Sequence, residues 1–397
     1  VSPVATTSAT LVEAPWVLPI VRPPIQDGAV LVDGEGVVLA VGRRREVRAV
    51  APLGAQRVFA GDVVLPSLVN AHLHLELSCL ARAGLPRGEG LVAWVRALIA
   101  KRASLDAAAV SAGVAAGLDE LRASGIGALG DVTSGLAGAE VPSSAPFEGL
   151  RFHEALGARP DDAGRVLAEA RMRAARDAGP LRSTLAAHSP ATCSELLLRA
   201  IAATSGPISL HLAEDPAERQ LLARGDGAWA SLLLERGLPV PTGGGLSPVA
   251  LAERLGLLSE RTLAVHCVDV DDGDAAILAR SRATVVLCPR SNRFLGLPAA
   301  PAAALLAAGV RLGLGTDSLA SSPSLSILEE AAALALPAAR SLEAATLGGA
   351  RALGLPHRGA IAPGLRPGLI ALDVVVGRRR PEDAVLEQPR AEVAWVS

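Results

Sequence analysis

Cysteine is scarce and scattered. Cys79, Cys193, Cys267 and Cys288 form no CxxC pair in the 397-residue chain. That spacing argues against disulfides and a cysteine-based zinc site, and favours buried free thiols in a reducing compartment. An excess of charge of either sign is also missing. With 38 basic and 40 acidic residues the net charge is −2, which gives no electrostatic footprint for nucleic acid or acidic membranes. No apolar run reaches the ~20 residues of a transmembrane span, and the Ala-rich stretch from Ala299 to Val310 is short and contains Pro301. The N-terminal stretch lacks a basic start and an unbroken apolar core, since Pro19, Pro23 and Pro24 interrupt it. A soluble cytoplasmic protein is the expectation. Lysine is nearly absent as well: Lys101 stands alone, and arginine supplies the other basic groups.

What is present is a chain with 50% hydrophobic and 20% charged residues, enough for a large core. Its first sixty residues read as short strands. The segment "AVLVDGEGVVLAVG" from Ala29 to Gly42 has the form of a hairpin, two apolar runs around a Gly-rich turn. The C-terminal stretch "GAIAPGLRPGLIALDVVVG" has the same character. The two ends are therefore expected to pair into one small β-sandwich domain, residues 1–62 plus 356–397.

Between residues 63 and 355 apolar strands alternate with helical periods, as in repeated βα units. Eight strands are readable, from "VVLPSLVNAHLH" to "VRLGLGTDS", and helices are predicted at Glu89–Arg102, Leu105–Arg122, Asp161–Asp177 and Cys193–Thr204. Eight units predict a (β/α)8 TIM barrel. An open doubly wound sheet would more often carry a Gly-rich phosphate loop after its first strand, and none is present.

The chain has seven histidines, and six fall on predicted strands or their ends. His72 and His74 close strand 1, His153 is in strand 3 and His188 closes strand 4. His211 lies in strand 5, His266 in strand 6, and Asp317 closes strand 8. Active sites of such barrels form at the C-terminal strand ends. Positions i and i+2 of a strand share a face, so His72 and His74 project together. With His211 and Asp317 they make a three-imidazole, one-carboxylate set that leaves a divalent metal an open position for water. Glu214, three residues after His211, is placed to move protons beside that water. A first-turn helix glutamate favoured by the dipole is the bland alternative.

Together these residues resemble the amidohydrolase superfamily, through "LPSLVNAHLHLE", "HLAE", "VHCV", "CPRSN" and "GTDSLASSPS". The resemblance implies one divalent metal on His72, His74, His211 and Asp317, a proton shuttle at Glu214, and a water-orienting role for His266. Zinc is the first expectation for the metal, with iron or manganese as alternatives. Binuclear members bridge two metals with a carboxylated lysine on a barrel strand. Lys101 lies in a predicted helix instead, so a mononuclear site is expected. That branch is dominated by deaminases, and "NAHLHLELS", "LVAWVRALI", "HSPATCSELL" and "GTDSLASSPSLS" look most like aminodeoxyfutalosine deaminases of the menaquinone pathway. Adenosine and S-adenosylhomocysteine deaminases are close relatives of these.

The resemblance implies that His188 reaches a ribose. Arg290 is a candidate for an anionic substituent and Ser318 for a further substrate contact. Trp94 and Phe294 could stack on a base, but ordinary packing at helix or loop is the favoured reading for each. Glu76 either shares the face of His74 or is a solvated loop carboxylate. Cys267 and Cys288 are expected as small apolar wall residues, and His153 as a partner behind the ligands. The expected partner is a small molecule, with a homodimer compatible with such barrels. Rival readings are a mononuclear hydrolase of another ring (guanine, cytosine, triazine) and an inactive barrel serving as a scaffold.

Overall fold

The computed structural model describes residues 9–396. Its centre is an eight-stranded parallel sheet curled into a nearly closed barrel, with each strand hydrogen-bonded to the next in chain order. The strands are β1 Leu68–Leu73, β2 Ile126–Thr133, β3 Glu148–Ala155, β4 Arg182–Ala187, β5 Ile208–Leu212, β6 Thr262–His266, β7 Thr284–Leu287 and β8 Arg311–Leu314. Every residue of β1, β2, β5, β6 and β7 is buried, as expected of parallel strands covered on both faces. The four predicted helices are present as Leu91–Arg102, Ala107–Ala123, Ala163–Arg176 and Glu195–Ala202. Side-chain caps fix two of their starts: Asp106 accepts from the Ala109 amide and Ser194 from the Leu197 amide.

The seam between β1 and β8 is stitched rather than laddered. A single bridge pairs Leu73 with Asp317. The Thr316 and Asp317 amides donate to the His72 carbonyl, and the His74 amide donates to the Asp317 carbonyl at 3.0 Å. Asn70 Nδ2 donates to Thr316 Oγ1 at 2.8 Å. Gly315 allows this approach, because a Cβ there would lie 2.6 Å from the His72 carbonyl oxygen.

Both ends of the chain join a separate seven-stranded sheet. The predicted hairpin is present, with Ile25–Val32 antiparallel to Val38–Arg43. Leu369–Leu372 and Val393–Trp395 come from the C-terminal stretch. One face of this sheet has its own core of Val12, Ala14, Val30, Val32, Val64 and Leu369. The segment read as one first barrel strand is divided. Val63–Pro66 pairs with Leu369–Leu372 in the terminal sheet, and only Leu68–Leu73 enters the barrel. Ser67 marks the break, with its amide on the Gly368 carbonyl and its hydroxyl on the Pro367 carbonyl.

Candidate metal centre and its cavity

Six of the sequence-predicted residues meet at the C-terminal mouth of the barrel. The rings of His72 and His74 lie 4.9 Å apart and nearly perpendicular, and those of His74 and His211 stack at 5.4 Å. The His72 and His266 rings are 6.0 Å apart. Asp317 Oδ1 is 3.9 Å from His72 Nε2 and 3.7 Å from His74 Nε2. Glu214 Oε1 is 3.5 Å from His266 Nε2. The backbone is bent to place them: His266 has φ 74° and Asp317 φ 59°, left-handed conformations costing about 1–3 kcal/mol each. Such strain is retained where a side chain must be aimed.

The donor set fits a metal on two observations. Both ring nitrogens of His72 are buried without a hydrogen-bond partner, a costly arrangement unless something else occupies the lone pair. His74 Nε2 and His211 Nε2 are 3.3 Å apart, and tetrahedral bonds of ~2.0–2.1 Å place two nitrogen donors about 3.3–3.4 Å from each other. One nitrogen each from His72, His74 and His211 lie within 4.8 Å of one another.

Electrostatics prepares the imidazoles as neutral ligands. Burial, then the neighbouring His74, His211 and His266, pushes His72 far below the usual histidine range. Burial likewise takes His211 down to about 3 and His188 to about 4, and it lowers His266. Asp317 is pushed up by burial, but His74, His266 and hydroxyl bonds from Ser291 and Ser321 outweigh this and hold it below the usual carboxylate range. Glu214 goes the other way. Burial, then the charges of Asp317, Glu218 and Asp215, lifts it well above the usual range. Two neighbouring acids are thus pushed in opposite directions, Asp317 toward the ionised form and Glu214 toward the protonated one, a separation that suits them to different proton-transfer roles.

Supporting groups fix each functional side chain. His211 Nδ1 donates to the His188 carbonyl at 3.0 Å, which directs Nε2 to the cluster. His266 Nδ1 pairs with Asn292 Oδ1 at 3.0 Å. Asp317 Oδ2 accepts from Ser291 Oγ at 2.6 Å and Ser321 Oγ at 2.7 Å. Asp131 Oδ1 accepts from the Leu75 amide at 3.0 Å, anchoring the chain just after His74.

A cavity of about 530 Å3 opens above the cluster. Its floor is His74, His211, His266, Glu214 and Asp317, and His188 and Glu154 stand beside them. Its walls are apolar, from Leu91, Trp94, Val95 and Leu98 on one side and Trp229, Leu232 and Leu233 on the other. That size lies within the ~300–1,000 Å3 of small-molecule sites.

Residues 63–394 match the amidohydrolase family.

The chain belongs to the amidohydrolase family.

This amidohydrolase is 34% identical over 323 residues to the aminodeoxyfutalosine deaminase of Deinococcus radiodurans, spanning 76% of this chain and 74% of that protein. It is 32% identical over 391 residues to a 5-methylthioadenosine/S-adenosylhomocysteine deaminase of Nitratidesulfovibrio vulgaris, covering 91% and 82% respectively. Among solved structures it is similar to an adenosine deaminase from Xanthomonas campestris with bound zinc, with a TM-score of 0.72, 26% identity, and 97% and 89% coverage. The Helicobacter pylori aminofutalosine deaminase in complex with methylthio-coformycin superposes with a TM-score of 0.83, covering 97% of each chain. At 20% identity that likeness speaks for the fold alone.

Several expectations about this amidohydrolase need correcting. Arg290 does not reach the cavity: its guanidinium sits 3.1 Å from Glu329 and 3.7 Å from Glu330, beside Ser324. The helix Pro289–Leu295 turns its next two residues, Ser291 and Asn292, toward the site and Arg290 away. Ser318 is fully buried, bonds Ser321 and lies outside the cavity lining. His153 contacts Asp177 and Ser183, away from the metal cluster. Phe294 lies under the Arg87 guanidinium and does not line the cavity, in keeping with the packing role favoured for it.

Trp94 does line it, with its indole N–H on the Ala320 carbonyl at 3.2 Å. Glu76 is buried rather than solvated, accepting from Thr133 Oγ1 and the Ser134 and Leu136 amides. Sequence reasoning passed over Ser291, Asn292, Ser321 and Glu154. The motif "CPRSN" contains the first two, and helical spacing of about 100° per residue is the signal separating them from Arg290. No membrane-length apolar helix occurs among the described residues.

Proposed function

We propose that this protein hydrolytically deaminates a 6-aminopurine nucleoside, with an aminodeoxyfutalosine-type nucleoside as first choice and adenosine, 5′-methylthioadenosine or S-adenosylhomocysteine as close alternatives. The observation that carries the reading is Glu214. Its nearly enclosed carboxyl, held well above the usual range by burial and nearby acids, stands 3.5 Å from the His266 ring and beside the His72–His74–His211–Asp317 donor set, at the floor of a nucleoside-sized cavity. The deaminase names of relatives at 32–34% identity support the same chemistry.

His72, His74, His211 and Asp317 are the ligands we assign to one divalent metal, zinc first. Bound there, such an ion supplies a Lewis acid that acidifies water at neutral pH. The chain's own groups do the rest. Glu214 delivers its proton to the ring nitrogen next to the amino-bearing carbon, which makes that carbon electrophilic. His266, its Nδ1 held by Asn292, aims Nε2 at the attacking water, and Asp317 accepts a proton from it. The tetrahedral carbon then collapses: the proton held by Asp317 passes to the amino group, which leaves as ammonia, and the proton of the new hydroxyl returns to Glu214, leaving the keto ring. His188, tethered by Thr192, and Trp94 face the same cavity as substrate contacts. The apolar walls exclude water from the reacting face.

The test is ammonia release, measured side by side from adenosine, 5′-methylthioadenosine, S-adenosylhomocysteine, aminodeoxyfutalosine, guanine and cytosine. Turnover of a 6-aminopurine nucleoside is expected. Release from guanine or cytosine alone, or from none of the panel, overturns the reading.

A further inference from the structure

Glu154 is a cavity carboxyl that neither the metal set nor the proton-transfer steps use. It closes β3, its side chain is 6% exposed, and it lines the cavity. Neither of its carboxyl oxygens has a hydrogen bond among the described residues, and Oε1 is buried without a partner. Its near neighbours are His211, with Nδ1 3.9 Å from Oε1, and His188. One polar atom from each of the three residues lies within 4.8 Å of the others.

Two ordinary explanations for such a carboxyl fail on geometry. A carboxylate that orients a metal-bound histidine accepts a hydrogen bond from its second ring nitrogen. Here His211 Nδ1 already donates to the His188 carbonyl at 3.0 Å, and 3.9 Å to Glu154 is beyond hydrogen-bond reach. A second metal shared by Glu154, His188 and His211 needs a bare nitrogen on His211. A carbonyl only accepts, so Nδ1 carries the proton and has no lone pair for an ion. Glu76, the other acid on this side, is occupied by Thr133, Ser134 and Leu136. Glu218 accepts from the Glu214 amide through Oε2, and Asp162 pairs with Arg165. Of the cavity acids without an assigned role, Glu154 is the one with neither oxygen hydrogen-bonded among the described residues, and a buried polar group left open calls for an explanation.

We propose that Glu154 is a substrate-binding residue that, with His188 beside it, receives the sugar hydroxyls of the nucleoside. The inference rests on the nucleoside reading above. It places the sugar on the far side of the His211 ring from the metal donors, while the amino-bearing end of the purine faces Glu214 and His266. His188 spends Nδ1 on Thr192 Oγ1 at 2.7 Å, so its other nitrogen complements the Glu154 carboxyl. Two neighbouring groups of this kind match the paired donors and acceptors of a vicinal diol. A site built around a hydroxyl rejects analogues that lack it far more strongly than an apolar pocket rejects a missing methylene.

The experiment compares adenosine with 2′-deoxyadenosine and 3′-deoxyadenosine for the wild-type enzyme, Glu154→Gln and Glu154→Ala, with metal content measured on each preparation. The wild type is expected to prefer adenosine over at least one deoxy analogue by about tenfold or more in kcat/KM. Glu154→Ala should lower kcat/KM for adenosine about 10–100-fold, chiefly through KM, and shrink the preference below about threefold. Glu154→Gln, which keeps the shape and one acceptor, should fall between. Metal content should not change. Equal discrimination in all three proteins overturns the assignment, as does loss of metal in Glu154→Gln. If the wild type acts on adenosine but the variants keep its preference, only this inference falls. If the wild type acts on no purine nucleoside, the functional reading falls and takes this one with it.

Discussion

Replacing Glu214 with glutamine isolates proton transfer from everything else the site does. The side chain is nearly enclosed, 3.5 Å from His266 Nε2, and its backbone amide is held by Glu218 Oε2 at 3.2 Å. Burial and the nearby Asp317 charge shift its carboxyl toward the protonated form, and the neutral amide reproduces the shape and charge of that form. The metal donors lie on other side chains, so metal content and thermal stability should match the wild type. The lost function is delivery and recovery of a proton, worth about 10²–10⁴-fold when a positioned group supplies it. That equals about 2.7–5.4 kcal/mol of transition-state stabilisation. One carboxyl serves both transfers here, which points to the upper part of that range. Continuous ammonia detection gives kcat and KM, elemental analysis gives metal per chain, and a melting curve reports folding. A kcat within tenfold of wild type at full metal occupancy refutes the argument. A metal-free variant would instead make Glu214 part of the ligand shell.

Three further outcomes are expected. Asn292→Ala should lower kcat about 10–100-fold with metal retained, because His266 Nδ1 loses the partner that aims the ring; unchanged kinetics would remove His266 from water orientation. Glu218→Gln should change stability in a pH-dependent way. Burial pushes the Glu218 carboxyl up to about 8 from 4.5, so its contribution is complete below 4.5 and is lost as pH rises through about 8. The glutamine variant should therefore match wild type near pH 4 and exceed it by up to about 4–5 kcal/mol near pH 9, read from urea unfolding; a gain equal at both pH values contradicts this. Chelation should abolish turnover and lower the melting temperature, both restored by adding zinc, since a ligand at 100 times its Kd contributes about 2.7 kcal/mol; a melt indifferent to chelator would argue against a metal on the orphaned His72 ring.

The barrel and the family were legible because the signals are periodic or positional. Short apolar strands alternated with helical stretches, and histidines fell at strand ends where such barrels carry chemistry. His72, His74, His211 and Asp317 are far apart in the chain, yet each was readable from its own strand. What stayed hidden depends on rotation about an axis. In β3 the informative residue is Glu154, not the more conspicuous His153, and adjacent strand positions face opposite sides. In the helix after β7, Arg290 drew attention as a charge, while its uncharged neighbours Ser291 and Asn292 hold Asp317 and His266. The split at Ser67 was hidden for a different reason. Val63 to Leu73 is one run of buried residues, and only long-range pairing shows where it changes sheets.

The seam between β1 and β8 gives the ion we assign a second consequence. His74 and Asp317 follow the first and last strands of the barrel, so a metal held by both would fasten two ends of a chain loop that encloses most of the molecule. A clasp of this kind limits the unfolded chain much as a long cross-link does. It also acts where the barrel is joined by one bridge, two side chains and a few amides instead of a continuous ladder. Without the ion, this stave joint is where the barrel should breathe first, and amide exchange around Leu73 and Thr316 would record it.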